Sequence, residues 1–315
     1  YDSGIALAIS SKAGLAPSDT ALSPTRPDLA AAMVARPGLP AAKRAEAAAI
    51  AAEAGLIDVA AWHQVLDTLF ENPEFEPRSK VEIAIATARN VAMPNDGRAD
   101  AIADALLDAA INPARFAAVS AVLAPELASL SLTNETAKHA LLFARASIAA
   151  NDFEGMTLWT LVPSLDEASQ TDAFDFAYIH ALGVLSGSGD AAQIGKTLVA
   201  EATSKNDRQA AARLFALWTM TGITPPPSAR ALMASDSEAP GKASKPGAVL
   251  AILANAEAGA AGEAILATVA LVNGDASKLD VADLALVGRA LNTIGAQDAA
   301  SELALEATGY WKAAK

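Results

Sequence analysis

Cysteine is missing from all 315 residues, which excludes disulfides, thiolate zinc sites and a cysteine nucleophile. Aromatic side chains make up only 5% of the chain, so its 52% hydrophobic content is carried by small and aliphatic residues. Basic residues are outnumbered: 23 Lys and Arg against 36 Asp and Glu leave a formal charge of -13, and no cluster of cations interrupts the deficit. Nucleic-acid affinity rests on cations that neutralise phosphates, so a nucleic-acid partner is excluded as an expectation. The negative charge is read as keeping a long Ala-rich surface solvated. No stretch reaches the roughly 20 uninterrupted apolar residues of a membrane span. The longest candidate, Val249 to Leu271, is broken by Asn255, Glu257, Gly259, Gly262 and Glu263. Runs of alternating Val, Ile, Thr and Tyr are absent, so no β-sheet is expected. The first residue is Tyr1 and not an initiator Met, as in a processed product that a signal peptide or anchor preceded.

What is abundant is alanine, about a quarter of the residues. Alanine is the best helix former and leaves little bulk between neighbouring axes, so the expected class is all-α with closely packed helices. Residues 1 to 39 hold Pro17, Pro24, Pro27 and Pro37 and read as a Pro-rich leader, irregular beyond a short helix near Ile5 to Ala13. From Pro40 the pattern is regular. The spacing predicts helices over 40–54, 56–71, 77–92, 97–110, 113–123, 133–150, 152–162, 166–186, 189–203, 205–221, 226–234, 246–258, 260–273, 280–294 and 296–310. Gly at 55, 187, 222, 274 and 295 marks helix ends, and Asp or Asn at 96, 152 and 190 marks starts. Residues 234 to 247, ASDSEAPGKASKPG, have linker composition. The expected organisation is therefore a leader at 1–39, a helical-repeat domain at 40–233, a flexible loop or linker at 234–247, and C-terminal hairpins at 248–315 that continue the stack.

A repeat emerges when the predicted hairpins are aligned on a small residue of their first helix: Ala48, Ala86, Ala144, Gly183, Ala216, Ala254 and Gly288. Successive spacings are 38, 58, 39, 33, 38 and 34, near the period of two-helix repeats except for the second. The long gap accommodates the helix at 113–123 and the connector LASLSLTNE. A turn residue follows seven positions later at Gly55, Asn151, Asp190 and Gly295, and a small residue five further on at Ala60, Gly195 and Ala300. The last hairpin, with Val287, Gly288, Leu291, Ala300, Ala304 and Ala307, resembles the tetratricopeptide-like α-solenoid family. The large aromatic usual early in that family's first helix, and the Pro closing each repeat, are mostly missing. The resemblance implies an α-solenoid of roughly seven antiparallel hairpins whose concave face holds a partner segment. The Ala-rich style is similar to that of bacterial cell-envelope proteins, which implies a periplasmic or envelope location.

The motifs that could carry chemistry each have a structural explanation. GSGDAAQIGKT at 187–197 looks like a phosphate-binding loop, yet Asp190 stands where a true loop needs Gly and the preceding residues read as helix. Asp190 is expected to cap a repeat helix instead. His63, His139 and His180 are far apart, and none has a zinc-protease partner at helical spacing. Paired carboxylates are the remaining catalytic possibility: Asp172 with Asp175, and Glu71, Glu74 and Glu76 beside Pro73 and Pro77. Glycan-acting enzymes of this kind generally need aromatic platforms, whereas Trp62, Trp159, Trp218 and Trp311 are spread over the repeats. Large side chains gather at only one place, with Phe153, Met156 and Trp159 on one predicted helix and Phe174, Phe176, Tyr178 and His180 on the next. They either fill the widest part of the core or floor a binding groove.

These readings lead to an expected non-catalytic scaffold that binds a protein or peptide partner through Phe153, Trp159, Phe174 and Tyr178, with no catalytic residues, cofactor or metal. The alternatives are an α/α-toroid-like enzyme acting on a glycan, for which a pocket joining Asp172 or Glu71 to two aromatics would speak, and a carrier of an amphipathic ligand.

Overall fold

The computed structural model describes residues 4–15, 23–36, 39–161, 173–235, 241 and 243–312. Among them the fold is all-α, without a β-strand, and no helix is long and apolar enough to cross a membrane. The chain divides into two compact units, Tyr1–Ser131 and Leu132–Lys315. The division falls inside the connector LASLSLTNE that lengthens the second repeat spacing.

The first unit contains α1 (Gly4–Lys12), α2 (Pro27–Val34), α3 (Ala41–Glu53), α4 (Val59–Phe70), α5 (Lys80–Arg89), α6 (Asn95–Ala109) and α7 (Pro113–Ala128). Helix α2 lies in the stretch that reads as irregular. Pro27 occupies its first turn, where a missing N–H costs nothing. Its Leu29, Ala30 and Met33 are buried with Leu7, Ala47 and Ala51 of the flanking helices. Gly4 lets α1 approach α2: a Cβ there would lie 2.3 Å from the Asp28 carbonyl oxygen, and the Gly4 N–H donates to Asp28 Oδ2 at 3.0 Å. Helices α3/α4 and α5/α6 form pairs, and α7 packs across α3, α4 and α5. Arg89 ties this arrangement together, reaching Asp67 of α4 and the buried Glu126 of α7 at 2.9 Å each.

The second unit contains α8 (Asn134–Ala137) and then five pairs. These are α9 (Ala140–Ala149) with α10 (Phe153–Leu161), α11 (Ala173–Leu185) with α12 (Ala191–Glu201), α13 (Lys205–Met220) with α14 (Pro227–Ser235), α15 (Pro246–Glu257) with α16 (Ala261–Val272), and α17 (Val281–Thr293) with α18 (Gln297–Ala307). With α3/α4 and α5/α6 these make seven pairs among the described residues after α1 and α2, which also pack on one another.

In six of the seven pairs the first helix ends on a residue with positive φ: Gly55, Asn151, Gly187, Gly222, Gly259 and Gly295. In each case the next N–H reaches back five residues, as Leu56 does to Ala51 at 2.9 Å and Ala296 to Leu291 at 2.9 Å. That pattern satisfies the orphan carbonyls of the helix end and reverses the chain tightly. Helix α5 is the exception and leaves its last turn at Asn90 with φ -78.

The pairs of the second unit do not stack in chain order. Helix α9 packs on α11 and α11 on α13, but α13 packs on α17 and α17 on α15. Gly288 makes the α13–α17 contact possible, since a Cβ there would fall 2.2 Å from Met220 Cγ. Asn292 Nδ2 donates to the Met220 carbonyl at 3.1 Å across the same contact. Arg213 of α13, 8% exposed, donates to the carbonyls of Ala307 and Leu279 at 3.1 Å and of Ser277 at 3.3 Å. It thereby closes the C-terminal end of α18 with a positive charge, where the helix dipole favours one. The linker makes the detour possible: Ser244 N–H donates to Asp283 at 2.6 Å, and Gly241 lies so close to Leu279 and Asp280 that a Cβ would clash with their backbone. Residues 236–240 and 242 of the linker lie outside the described residues.

Two substitutions probe these constraints. Replacing Gly295 (φ 78) by Ala is expected to destabilise the protein by about 1–2 kcal/mol in urea unfolding, because a Cβ is strained in the left-handed region. Arg213→Met strands three carbonyl groups, and the expected loss is about 2–4 kcal/mol, with amide exchange accelerating first in α17 and α18.

Candidate functional site

The larger of two candidate sites is a groove in the first unit. It runs between α3, α4 and the connection to α5, with a volume of about 780 Å³, within the roughly 300–1,000 Å³ of ligand pockets. Its floor is apolar: Ala45, Trp62, Leu66 and Leu69 lie at the bottom, each at most 2% exposed. Trp62, Leu66 and Leu69 recur at helical spacing on α4 and face the small side of α3, to which Ala45 belongs, so the floor belongs to the core. One wall is the connection Asn72–Ser79, in which Pro73 and Pro77 suppress helix and Phe75 leans edge-on against Phe70 at 5.4 Å. Asn72 Oδ1 accepts from the Glu74 N–H at 3.0 Å, and Glu82 Oε2 accepts from the N–H groups of Arg78 and Ser79 at 2.8 and 3.0 Å. Those bonds fix the wall. The exposed Glu46, Glu74 and Glu76 and the half-buried Glu82 make the rim acidic, against Lys43 and Arg78. Glu74 and Glu76, singled out in the sequence, thus come together with Trp62 and Phe75. Glu71 points elsewhere, into a shallow site with Asp67, Phe70 and Arg89.

The second candidate lies in the second unit and takes in two of the four aromatics expected to anchor a partner. Phe174 and Tyr178 stand one turn apart on α11 with ring centres 5.7 Å apart, and they line a cleft of about 250 Å³. Arg145 of α9, Asp175, Ala210 of α13 and the segment Thr308–Tyr310 with Lys312 complete it. Trp159 is packed into the α9/α10 pair, 3% exposed, with its ring edge-to-face on Phe143 at 4.8 Å. Phe153 is half-buried at the start of α10. The sequence does not point to Arg145, Tyr310 or Lys312, since nothing local places residue 145 beside residue 312. The one hint is Arg145 itself, the only charge in the apolar helix ALLFARASIA.

Burial pushes the Tyr178 phenol up to about 12, although the neighbouring Arg213 and Arg145 act in the opposite direction. Tyr310 is raised too, by burial and by the nearby Glu306 and Glu302. Burial lowers Arg145 and outweighs the opposing fields of Asp175 and Tyr178.

Elsewhere the residues serve structure. Asp190 accepts from the N–H groups of Ala192 and Gln193 and caps α12, and Gly195 is buried where a Cβ would meet Pro226 at 2.8 Å. His63 Nδ1 lies 3.0 Å from Asp67 on the same helix, His180 is lowered by burial, and no group of three metal-ligating side chains occurs among the described residues. Asp172 lies outside the described residues, so its pairing with Asp175 is not placed.

A pH titration tests the cleft. The fold favours the neutral Tyr178 phenol, so its contribution is intact below pH 10, the ordinary phenol value, and is lost as the pH rises towards about 12. Absorbance at alkaline pH is expected to show Tyr178 ionising late, and Tyr178→Phe is expected to remove that phase; ionisation near 10 would show that the phenol is solvated. In comparison with known proteins, the chain matches no family model, no curated protein and no solved structure.

Proposed function

We propose that this chain is a non-catalytic helical-repeat scaffold, of the tetratricopeptide-like kind, that binds a protein partner through a peptide segment seated in the groove of the first unit. The observation that carries this reading is an apolar groove, backed by Trp62, Leu66 and Leu69 and lined by the half-buried Ala49, Ile50, Phe75 and Val81, bounded by a rim richer in carboxylates than in cations. The segment that complements it is amphipathic, with aliphatic or aromatic side chains against the floor and Lys or Arg towards Glu46, Glu74 and Glu76. Small side chains on α3 let a helix or strand approach closely, and the paired helices hold the floor rigid, which lowers the ordering cost of binding. Within the second unit Phe153, Phe174 and Tyr178 are proposed as partner-contacting positions of their own, with Phe174 and Tyr178 reachable from its cleft.

Selection of peptides from a random display pool tests the reading, using the full chain as bait and the triple variant Glu46→Lys, Glu74→Lys, Glu76→Lys as counter-bait. The expected winners alternate Lys or Arg with Leu, Phe or Trp. They are expected to bind the variant at least about tenfold more weakly at low salt, with a gap that narrows as salt rises. Winners that are acidic, or that bind both baits alike, would refute the groove.

A further inference from the structure

We infer that the cleft of the second unit is a binding site for a small monocarboxylate, held at its charged end by Arg145. The cleft is a product of the packing order, because the turn after α18 returns beside α9 and α11 and brings Thr308–Tyr310 and Lys312 opposite Arg145. Arg145 is half-buried and underused. Its Nη1 donates to the Lys312 carbonyl at a long 3.3 Å, its Nε is buried with no hydrogen-bond partner, and no carboxylate lies within ion-pair distance of it among the described residues. A guanidinium offers five donors in a planar fork that matches a carboxylate, and a buried donor without an acceptor is costly. A carboxylate entering the cleft supplies acceptors to the Nη donors that the Lys312 carbonyl leaves over.

Three further groups define the ligand. The Tyr178 hydroxyl lines the same cleft, makes no hydrogen bond among the described residues and stays protonated at neutral pH, so it is available as a donor. Phe174 and Tyr178 present ring surface to an apolar or aromatic body. Asp175 also lines the cleft, and its field already acts on Arg145, so a second negative charge on the ligand is repelled. Lys312 does not offset that repulsion, because its ammonium is committed to Ser277 and to Asp275 at 3.7 Å. With a volume of about 250 Å³ the cleft takes a compact molecule. A monoanion with a planar or aliphatic body fits these constraints, and phosphate or a dicarboxylate does not.

Calorimetric titration of the full chain with benzoate tests this, with benzamide as the neutral isostere and inorganic phosphate as the competing anion. The expected result is saturable benzoate binding with a Kd on the order of 1 mM or tighter, and weaker binding of both comparators. Arg145→Gln is expected to weaken benzoate by at least about tenfold. If that variant does not fold, Tyr178→Phe removes a single hydroxyl and is expected to weaken benzoate by a few-fold. Absence of saturation by about 10 mM, or benzoate affinity unchanged in a folded Arg145→Gln, would overturn the site. Phosphate binding as tightly as benzoate would overturn the ligand class.

Discussion

Several of the helices in this protein meet where a side chain is absent or reduced to a methyl group. With so few aromatic residues, apolar area must be buried by bringing backbones together instead of filling wide gaps with large side chains. Ala48 and Ala144 are 0% exposed at their contacts. At Gly183 a Cβ would touch Met156 Sδ at 3.0 Å, and at Gly288 the clearance is smaller still. Close axes give many weak dispersion contacts and leave few voids, and they also dictate where the rare large side chains go. Trp218 is an example: fully buried on α13, it meets Phe215 edge-to-face and spends its indole N–H on the Ala181 carbonyl of α11 at 3.1 Å.

The helices were legible in the sequence because their punctuation is chemical. Gly and Asn at the left-handed positions, and Asp or Ser at the starts, state local backbone geometry that needs no tertiary context. The same logic misled at two prolines. Pro27 opens α2 and does not break it, and Pro125 sits inside α7, which runs on to Ala128 past the predicted end. The repeat alignment also has a graded outcome. Ala48, Ala144, Gly183 and Gly288 are buried, Ala86 and Ala216 are half-buried, and Ala254 is exposed. In α5 the buried small residues are Ala84 and Ala88, so the contact stripe lies two residues to either side of the aligned position. Small residues are common enough here that spacing alone does not say which of them faces a neighbour.

The sites were less legible, for a different reason. The wall of the groove is written in Pro73 and Pro77, and its acids stand out, but its floor is made of ordinary core residues of α4 that only the paired α3 converts into a groove. The cleft depends on residues 145, 178 and 310 meeting, which no local pattern encodes. Nor does the chain's own order reveal that α17 precedes α15 in space. That order is decided by a glycine against Met220 and by one arginine satisfying three carbonyls, features that acquire meaning only in contact.

The detour of α15 and α16 also bears on how the second unit assembles. The hydrogen bond from Asn292 to Met220 joins residues 72 apart, and that from Arg213 to Ala307 joins residues 94 apart. In an array stacked in chain order, each new pair docks on the one just made and the loops to be closed stay short. Here the last pair docks across an intervening hairpin, so chain entropy must be surrendered before the contact returns any energy. Individual hairpins rest on local contacts, while closure of the row rests on contacts of long sequence separation, the kind that slows folding. Until it happens, the Gly288 face of α17 and the Met220 face of α13 are both exposed to solvent, and the period of greatest vulnerability to aggregation is written into the topology.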